Sequence, residues 1–204
     1  MRKSSVREIC LVKICAISFL ALVSPAMASA QFLPSGGNAF FGYSYVRGET
    51  FVKSGPPPGT GGAANLSGWE VSAEGKYLPW LGAVADLDWH YGGHDASLCQ
   101  PLGPCTAFRV NASRDTLLFG PRASTVYRRF RPFADLLFGI AYQSNKGGAI
   151  SNSDLTFAFA LGGGVDYQLL RSVWLRGQVH AVRTGFFGRS QFDPRISTGI
   201  VFSF

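Results

Sequence analysis

Apolar and polar positions alternate with a period of two in eight stretches of this chain. Phe41, Tyr43 and Tyr45 alternate with Gly42, Ser44 and Val46 between Ala39 and Arg47. Trp69, Val71, Ala73 and Tyr77 then alternate with Glu70, Ser72, Glu74 and Lys76, and Leu81 to Tyr91 sets Leu87 and Trp89 against Asp86, Asp88 and His90. Leu117 and Phe119 oppose Thr116 and Arg122; Leu136, Phe138 and Ile140 oppose Asp135 and Gly139; Phe157, Leu161 and Tyr167 oppose Thr156, Gly162 and Asp166. Val173, Leu175 and Val179 oppose Arg176, Gln178 and His180, and the eighth stretch runs from Ile196 to Phe204. A two-residue period puts successive side chains on opposite faces of a strand, so the pattern predicts eight strands. No stretch after the first thirty residues carries a convincing helical period.

The connections sharpen the prediction. Those over Gly48 to Ser67, Gly92 to Ser113, Gln143 to Asp154 and Gly185 to Asp193 are long, and the three between them are short. Strict alternation of long and short ends is the pattern of an up-and-down barrel in an outer membrane, with long loops outside and short turns on the periplasmic side. The fold class expected is therefore all-β, an eight-stranded antiparallel up-and-down transmembrane barrel. Eight strands enclose an interior only wide enough for side chains or one small ligand. The charged face then fits the lumen and the Phe, Leu, Ile and Val face fits lipid. This assigns Glu70, Glu74, Lys76, Asp86, Asp88, Arg122, Asp135, Asp166, Arg176 and His180 to a lumen charge network, with Arg114 and Arg195 as further basic members. Such a network plugs the lumen, because buried charges must be paired. Trp69, Trp89 and Tyr91 fall near the outer strand ends, and Tyr77, Trp80, Tyr167 and Phe204 near the inner ends, as two aromatic girdles would.

Residues 1–30 read as a secretory signal, leaving residues 31–204 as one barrel domain. Arg2, Lys3, Arg7 and Lys13 form a basic start, Ile14 to Val23 an apolar run, and Ala28-Ser29-Ala30 a cleavage context before Gln31. That run is too short for a membrane-spanning helix, which needs roughly 20 apolar residues. Removing Arg2, Lys3, Arg7, Lys13 and Glu8 from the 19 basic and 12 acidic residues leaves 15 and 11, a net charge of +4. So mild a charge argues against nucleic acid as a partner. Cys10 and Cys15 leave with the signal, and Cys99 and Cys105, in an exported glycine- and proline-rich stretch, read as a loop disulfide.

The stretches "FFGYSYVRG", "LLFGPR", "RPFADLLFGIAY", "FALGGGVDYQL" and "ISTGIVFSF" carry a resemblance to the small outer-membrane β-barrel domains, the OmpA/OmpX-type and opacity-protein-like group. The resemblance implies that the aromatic last strand, with Ile200, Phe202 and Phe204, resembles the signal read by the barrel-assembly machinery. It implies no catalytic residues. Partners expected are outer-membrane lipid including lipopolysaccharide, the assembly machinery during biogenesis, and an unidentified extracellular ligand taken by the loops. A monomer without cofactors is expected, exported to the outer membrane of a Gram-negative-type envelope.

Other constellations weigh less. His90, His94 and His180 invite a lipid-modifying enzyme, but a hydrolase needs a serine, a histidine and a carboxylate in reach of lipid. His90, His94 and Asp95 make a weak metal set, interrupted by Tyr91-Gly92-Gly93. Gly162 to Gly164 lack the lysine and helix of a phosphate loop. Pro121, in mid-strand, calls for a local bulge. Asp115 and Arg183 fall in the outward register, placing them at the rim. The first long connection, with Pro56-Pro57-Pro58, reads as a loop of little structure, and the second, carrying Phe108 and Arg109, as the better candidate for an outside contact. The leading expectation is a non-enzymatic barrel with a structural or surface-interaction role. A small passive pore comes second, and a lipid-modifying enzyme third.

Overall fold

The structure is a computed structural model that describes residues 36–50, 62–99, 105–147, 150–186 and 190–204. The signal-peptide reading over residues 1–30 lies outside the described residues. Eight strands follow one another: β1 (Gly36–Thr50), β2 (Gly62–Lys76), β3 (Leu81–Cys99), β4 (Cys105–Ser124), β5 (Phe130–Gly147), β6 (Ile150–Leu170), β7 (Val173–Thr184) and β8 (Gln191–Ser203). Each pairs antiparallel with the next, and β8 pairs with β1 to close the barrel. Closure removes the edges that an aromatic last strand would otherwise expose.

The seam is held at its inner end by reciprocal bonds, Gly37 N donating to Phe204 O at 2.8 Å and Phe204 N to Gly37 O at 3.0 Å. Midway along it Gly42 and Gly199 are register partners. A Cβ on Gly199 would lie 2.3 Å from the Gly42 Cα, so the two strands approach there in a way only glycine allows.

Register sorts the side chains as the alternation requires. Phe41, Trp69, Phe138, Ile140, Phe157, Leu161, Val179 and Ile196 are exposed on the outer wall, whereas Glu70, Asp86, Arg122, Asp166, Arg176 and Arg195 are buried inside. Of the girdle residues, Tyr91, Tyr77, Trp80, Tyr167 and Phe204 are exposed like Trp69, and Trp89 is half-buried. Phe41 stacks on Trp69 at 5.3 Å between ring centroids and Tyr43 meets Trp69 edge-on at 6.4 Å, which ties β1 to β2 on the outside.

The inner ends turn at residues 77–80, 125–129 and 171–172. In the first, Tyr77 N and Leu78 N both donate to Leu81 O, at 3.1 and 3.0 Å. In the second, Tyr127 pairs with Phe130 across Arg128 and Arg129.

Two sequence expectations need correction. The connections after β3 and β5 are not long loops: pairing continues to Cys99↔Cys105 and to Gly147↔Ile150. A tilted transmembrane strand needs about 9 to 11 residues, so the 19 residues of β3 and 20 of β4 carry the hairpin beyond the apolar band. Pro121 makes no bulge either. Phe119↔Phe138 and Arg122↔Asp135 are in one register, so the β4–β5 ladder skips Gly120 and Pro121 without slipping, and Ala83↔Pro121 keeps the β3 side paired. A missing donor leaves a gap in one ladder while the other continues. The register shift among the described strands is elsewhere, at Gln168 to Leu170 between β6 and β7.

Candidate functional site: a charged lumen

The inward register of seven strands, β2 to β8, brings the charged side chains to the barrel axis. Arg195 of β8 donates from Nη1 to Asp86 Oδ1 at 2.8 Å and to Asp88 Oδ2, with its Nε 3.9 Å from Glu70 Oε2. Glu70 also accepts from Gln178 and Ser197. From Arg195 the chain of contacts runs inward. Its Nη2 lies 3.4 Å from His180 Nδ1, His180 Nε2 meets Asp135 Oδ1 at 2.7 Å, and Arg122 Nε donates to Asp135 Oδ2 at 3.0 Å. Arg122 is 3.5 Å from Glu74, which accepts from Asn38 at 2.9 Å.

A second centre forms toward the inner end. Asp166 accepts from Arg176 Nε at 2.6 Å and from Arg131 Nη2 at 2.7 Å. Arg131 Nη1 reaches Asn38 at 3.1 Å and joins the two centres. The guanidinium faces are covered by rings: Phe133 lies between Arg122 at 4.3 Å and Arg176 at 4.6 Å, and Trp174 lies 4.6 Å from Arg131. Stacking desolvates each face while edge hydrogen bonds neutralise the charge. Removing one member of such a pair leaves an uncompensated charge, at a cost of about 3 to 5 kcal/mol.

At the outer mouth Arg114 pairs with Asp193, donates from Nη2 to Gln143 at 3.0 Å and lies over the Phe186 ring at 5.2 Å. Phe186 belongs to the β7–β8 connection, yet it is fully buried. It packs on an apolar cluster of Val84, Leu118, Leu137, Ala141, Ala158, Ala160 and Val182. The lumen is therefore not polar throughout. One side of the inner wall, from β3 to β7, is filled with packed hydrocarbon.

His90 sits in a serine–histidine–carboxylate arrangement, turned into the lumen and not toward lipid. Its Nδ1 meets Asp88 Oδ1 at 3.0 Å and its Nε2 meets Ser44 Oγ at 2.9 Å. These are the distances of a nucleophile–base–carboxylate triad. Ser44 and His90 are both 0% exposed. The adjacent cavity, lined by Val46, Asp88, His90, Arg114, Thr116, Val182 and Arg195, offers about 10 Å³ to a water centre, room for about one water. Ser44 faces the lumen with its partners buried around it, not the lipid that a lipid hydrolase would have to reach. Ser197 Oγ lies 2.9 Å from Ser44 Oγ and also bonds Glu70, so the triad is one stretch of a relay running from β3 through β1 and β8 to β2.

Of the residues assigned to the lumen, Glu70, Glu74, Asp86, Asp88, Arg122, Asp135, Asp166, Arg176 and His180 are buried and belong to the network just described. Lys76 is half-buried at the inner mouth, its Nζ donating to Ser124 Oγ at 3.2 Å. Arg131, Asp193 and Ser44 also belong to it and were missed. Arg131 stands before Pro132 beside a turn, Asp193 in what reads as a loop, and Ser44 is small; the inward parity of each is the signal that finds them. Phe202 and Phe204 face outward and Ile200 is half-buried. Arg183 lies at the rim, donating to Ser190 Oγ at 2.9 Å, and Asp115 is half-buried on the outer face. Cys99 and Cys105 are backbone register partners; their side chains, like those of His94 and Asp95, lie outside the description. Among the described residues no group of three His, Cys, Asp or Glu side chains is placed to hold a metal.

A closed eight-stranded barrel with an apolar exterior and a paired, charged interior defines the class: an outer-membrane-type β-barrel. The chain has the fold of small outer-membrane β-barrels. Among solved structures it is similar to Ail, the attachment invasion locus protein of Yersinia pestis, in complex with the heparin analogue sucrose octasulfate, with a TM-score of 0.55 and 12% identity over 83% of this chain and 98% of that one. It is likewise similar to Neisserial surface protein A, with a TM-score of 0.52 and 13% identity over 83% of this chain and 96% of that one. At such identities the likeness establishes the fold. No protein-family model and no curated protein sequence matches the chain.

Proposed function

We propose that this protein is an integral outer-membrane barrel without catalytic activity, closed to solutes by its lumen network and acting in envelope structure or surface interaction through its outer hairpins. The observation that carries this reading is the sorting of side chains. Outward positions are apolar through the middle of the wall, and Arg122, Arg176 and Arg195 are each about 1% exposed in the lumen. Lipid accepts the first face, and only paired burial accepts the second.

The closed lumen disfavours a passive pore. Ion paths need continuous polar space, and the burial of Arg122, Arg176, Arg195 and their carboxylate partners in the lumen supports a filled interior instead. Surface interaction is supported by the β3–β4 hairpin, whose residues beyond Gly92 and before Asn111 pair only with each other among the described strands. Two free ladder edges projecting into solvent suit recognition of an extended partner. Ail shares the fold and is named for attachment and invasion, a fold-level analogy and no more. Export by residues 1–30, assembly through Ile200, Phe202 and Phe204, contact with lipopolysaccharide and a monomeric state complete the proposal.

Its test is twofold. The protein from purified outer membranes is expected to migrate faster in detergent gels without boiling than after it, and to give no stable conductance in planar bilayers. Recovery from the soluble periplasm without a heat shift overturns the barrel reading; steady single-channel currents overturn the closed lumen.

A further inference from the structure

The inner rim is not uniform in charge. The turn at residues 77–80 carries no charged side chain, whereas Arg128, Arg129 and Arg171 stand exposed on the other two turns. These two turns are joined: Gln168 N donates to Arg129 O at 2.8 Å, directly before Leu169, Leu170 and Arg171. Three guanidinium groups thus share one sector, and neither residues 124–130 nor residues 167–173 contain an Asp or Glu. The carboxylate between them in the fold, Asp166, faces inward and is held by Arg131 and Arg176.

Two further observations point to the occupant. The register shift at Gln168 to Leu170 inserts one extra residue, and with it Leu169 and Leu170 both face outward, 50% and 68% exposed. A regular strand would have turned one of them inward. Beside them Tyr127 is 65% exposed, with Arg128 over its ring at 5.6 Å, and Phe130 packs on Tyr167 at 5.2 Å. Arg128 also has φ at 55°, a backbone conformation that favours glycine or asparagine. A long cationic side chain thus stands where the local backbone prefers none, the kind of conflict that marks functional positions.

We infer that this sector is a binding surface for anionic phospholipid in the inner leaflet. Leu169, Leu170, Tyr127 and Phe130 enter the interface, and Arg128, Arg129 and Arg171 hold the headgroup phosphate. Guanidinium groups, like ammonium groups, donate charge-assisted hydrogen bonds to phosphate oxygens, and here it is their clustered positive charge that holds the headgroup. Clustered basic residues next to a membrane-embedded apolar face are attracted to anionic headgroups. The adjoining apolar side chains favour a lipid over any soluble periplasmic polyanion, since in water they would be exposed beside the cations. The inference rests on the outer-membrane orientation proposed above.

The test uses native mass spectrometry of the mature barrel released from micelles containing equal phosphatidylglycerol and phosphatidylcholine, with the heat shift measured on each sample. Wild type is expected to retain phosphatidylglycerol in excess. The triple variant Arg128→Gln, Arg129→Gln, Arg171→Gln is expected to lose that excess by about fivefold or more. A triple Lys variant is expected to keep it, and Arg47→Gln with Arg183→Gln, at the opposite end, to leave it unchanged. Equal retention of the two lipids by a heat-modifiable wild type overturns this inference alone, as does an excess that survives the Gln triple or is lost equally in the Lys triple. Cosedimentation with peptidoglycan sacculi that depends on the three arginines, without lipid selectivity, overturns it in favour of the cell wall. A wild type without a heat shift takes the barrel reading down with it.

Discussion

Arg195 of β8 and Asp86 of β3 meet at 2.8 Å across the lumen, 109 positions apart in sequence. The same guanidinium also binds Asp88 and faces Glu70, so one cation meets three carboxylates from β2 and β3, neither of which is paired with its own strand. Replacing Arg195 with Met keeps most of the volume and leaves those carboxylates uncompensated. The expected loss is about 3 to 5 kcal/mol, against about 0.5 kcal/mol or less for Arg47→Met on the exposed face. Urea unfolding from lipid vesicles measures both, and equal midpoints for the two variants would remove the network from the account of stability.

The relay through His90 is expected to be structural. Ser44→Ala deletes two buried hydrogen bonds, to His90 and to Ser197, and is expected to cost about 1 to 3 kcal/mol. A fluorophosphonate probe is expected to leave Ser44 of the folded wild type unlabelled, because the serine is buried and the cavity beside it admits about one water. Peptide mapping that finds an adduct on Ser44, absent in His90→Ala, would show an activated nucleophile and reopen the hydrolase reading.

How far the sequence discloses this arrangement follows from where polarity differs between the two faces of a strand. Between Trp69 and Trp89 the faces differ sharply, apolar against Glu and Asp, and the alternation gives strand, register and lumen side at once. Past Tyr91 both faces turn polar or small, with Gly92, Gly93, Ser97 and Asn111, and a projecting hairpin reads as a loop. The partners within the lumen are not legible either. Parity places Arg122 and His180 inside, but which carboxylate each meets depends on barrel stagger, which brings Asp135 to both. Phe186 escapes because a phenylalanine in a glycine-rich connection looks exposed, whereas it packs into the mouth under Arg114.

The outer wall makes a depth-dependent prediction. Phe138 lies in the apolar row with Phe119 and Phe159, near the middle of the wall, whereas Tyr91 lies toward the outer end. Phe138→Arg is expected to cost about 2 to 4 kcal/mol and Tyr91→Arg about 0 to 1 kcal/mol in lipid vesicles. A soluble carrier with a polar exterior would tolerate both substitutions equally, so similar unfolding free energies for the two would count against a lipid-facing wall.

The tip of the β3–β4 hairpin is expected to be closed covalently. Cys99 and Cys105 are register partners in an antiparallel pair, and such partners have Cα atoms about 4.5 to 5.5 Å apart, within the span a disulfide bridges. The export proposed for this chain would bring it to oxidising conditions, where a bridge over so short a loop contributes about 2 kcal/mol. The bond is expected to fasten the projecting hairpin and not the barrel, because below it the pairing of β3 with β4 continues without a shift down to Leu81↔Ala123. Alkylation of the unreduced mature protein is therefore expected to modify no cysteine, and reduction to increase proteolysis within residues 93–110 while leaving the heat shift intact. Two alkylated cysteines in protein taken directly from the outer membrane would show the hairpin to be held by its ladder alone.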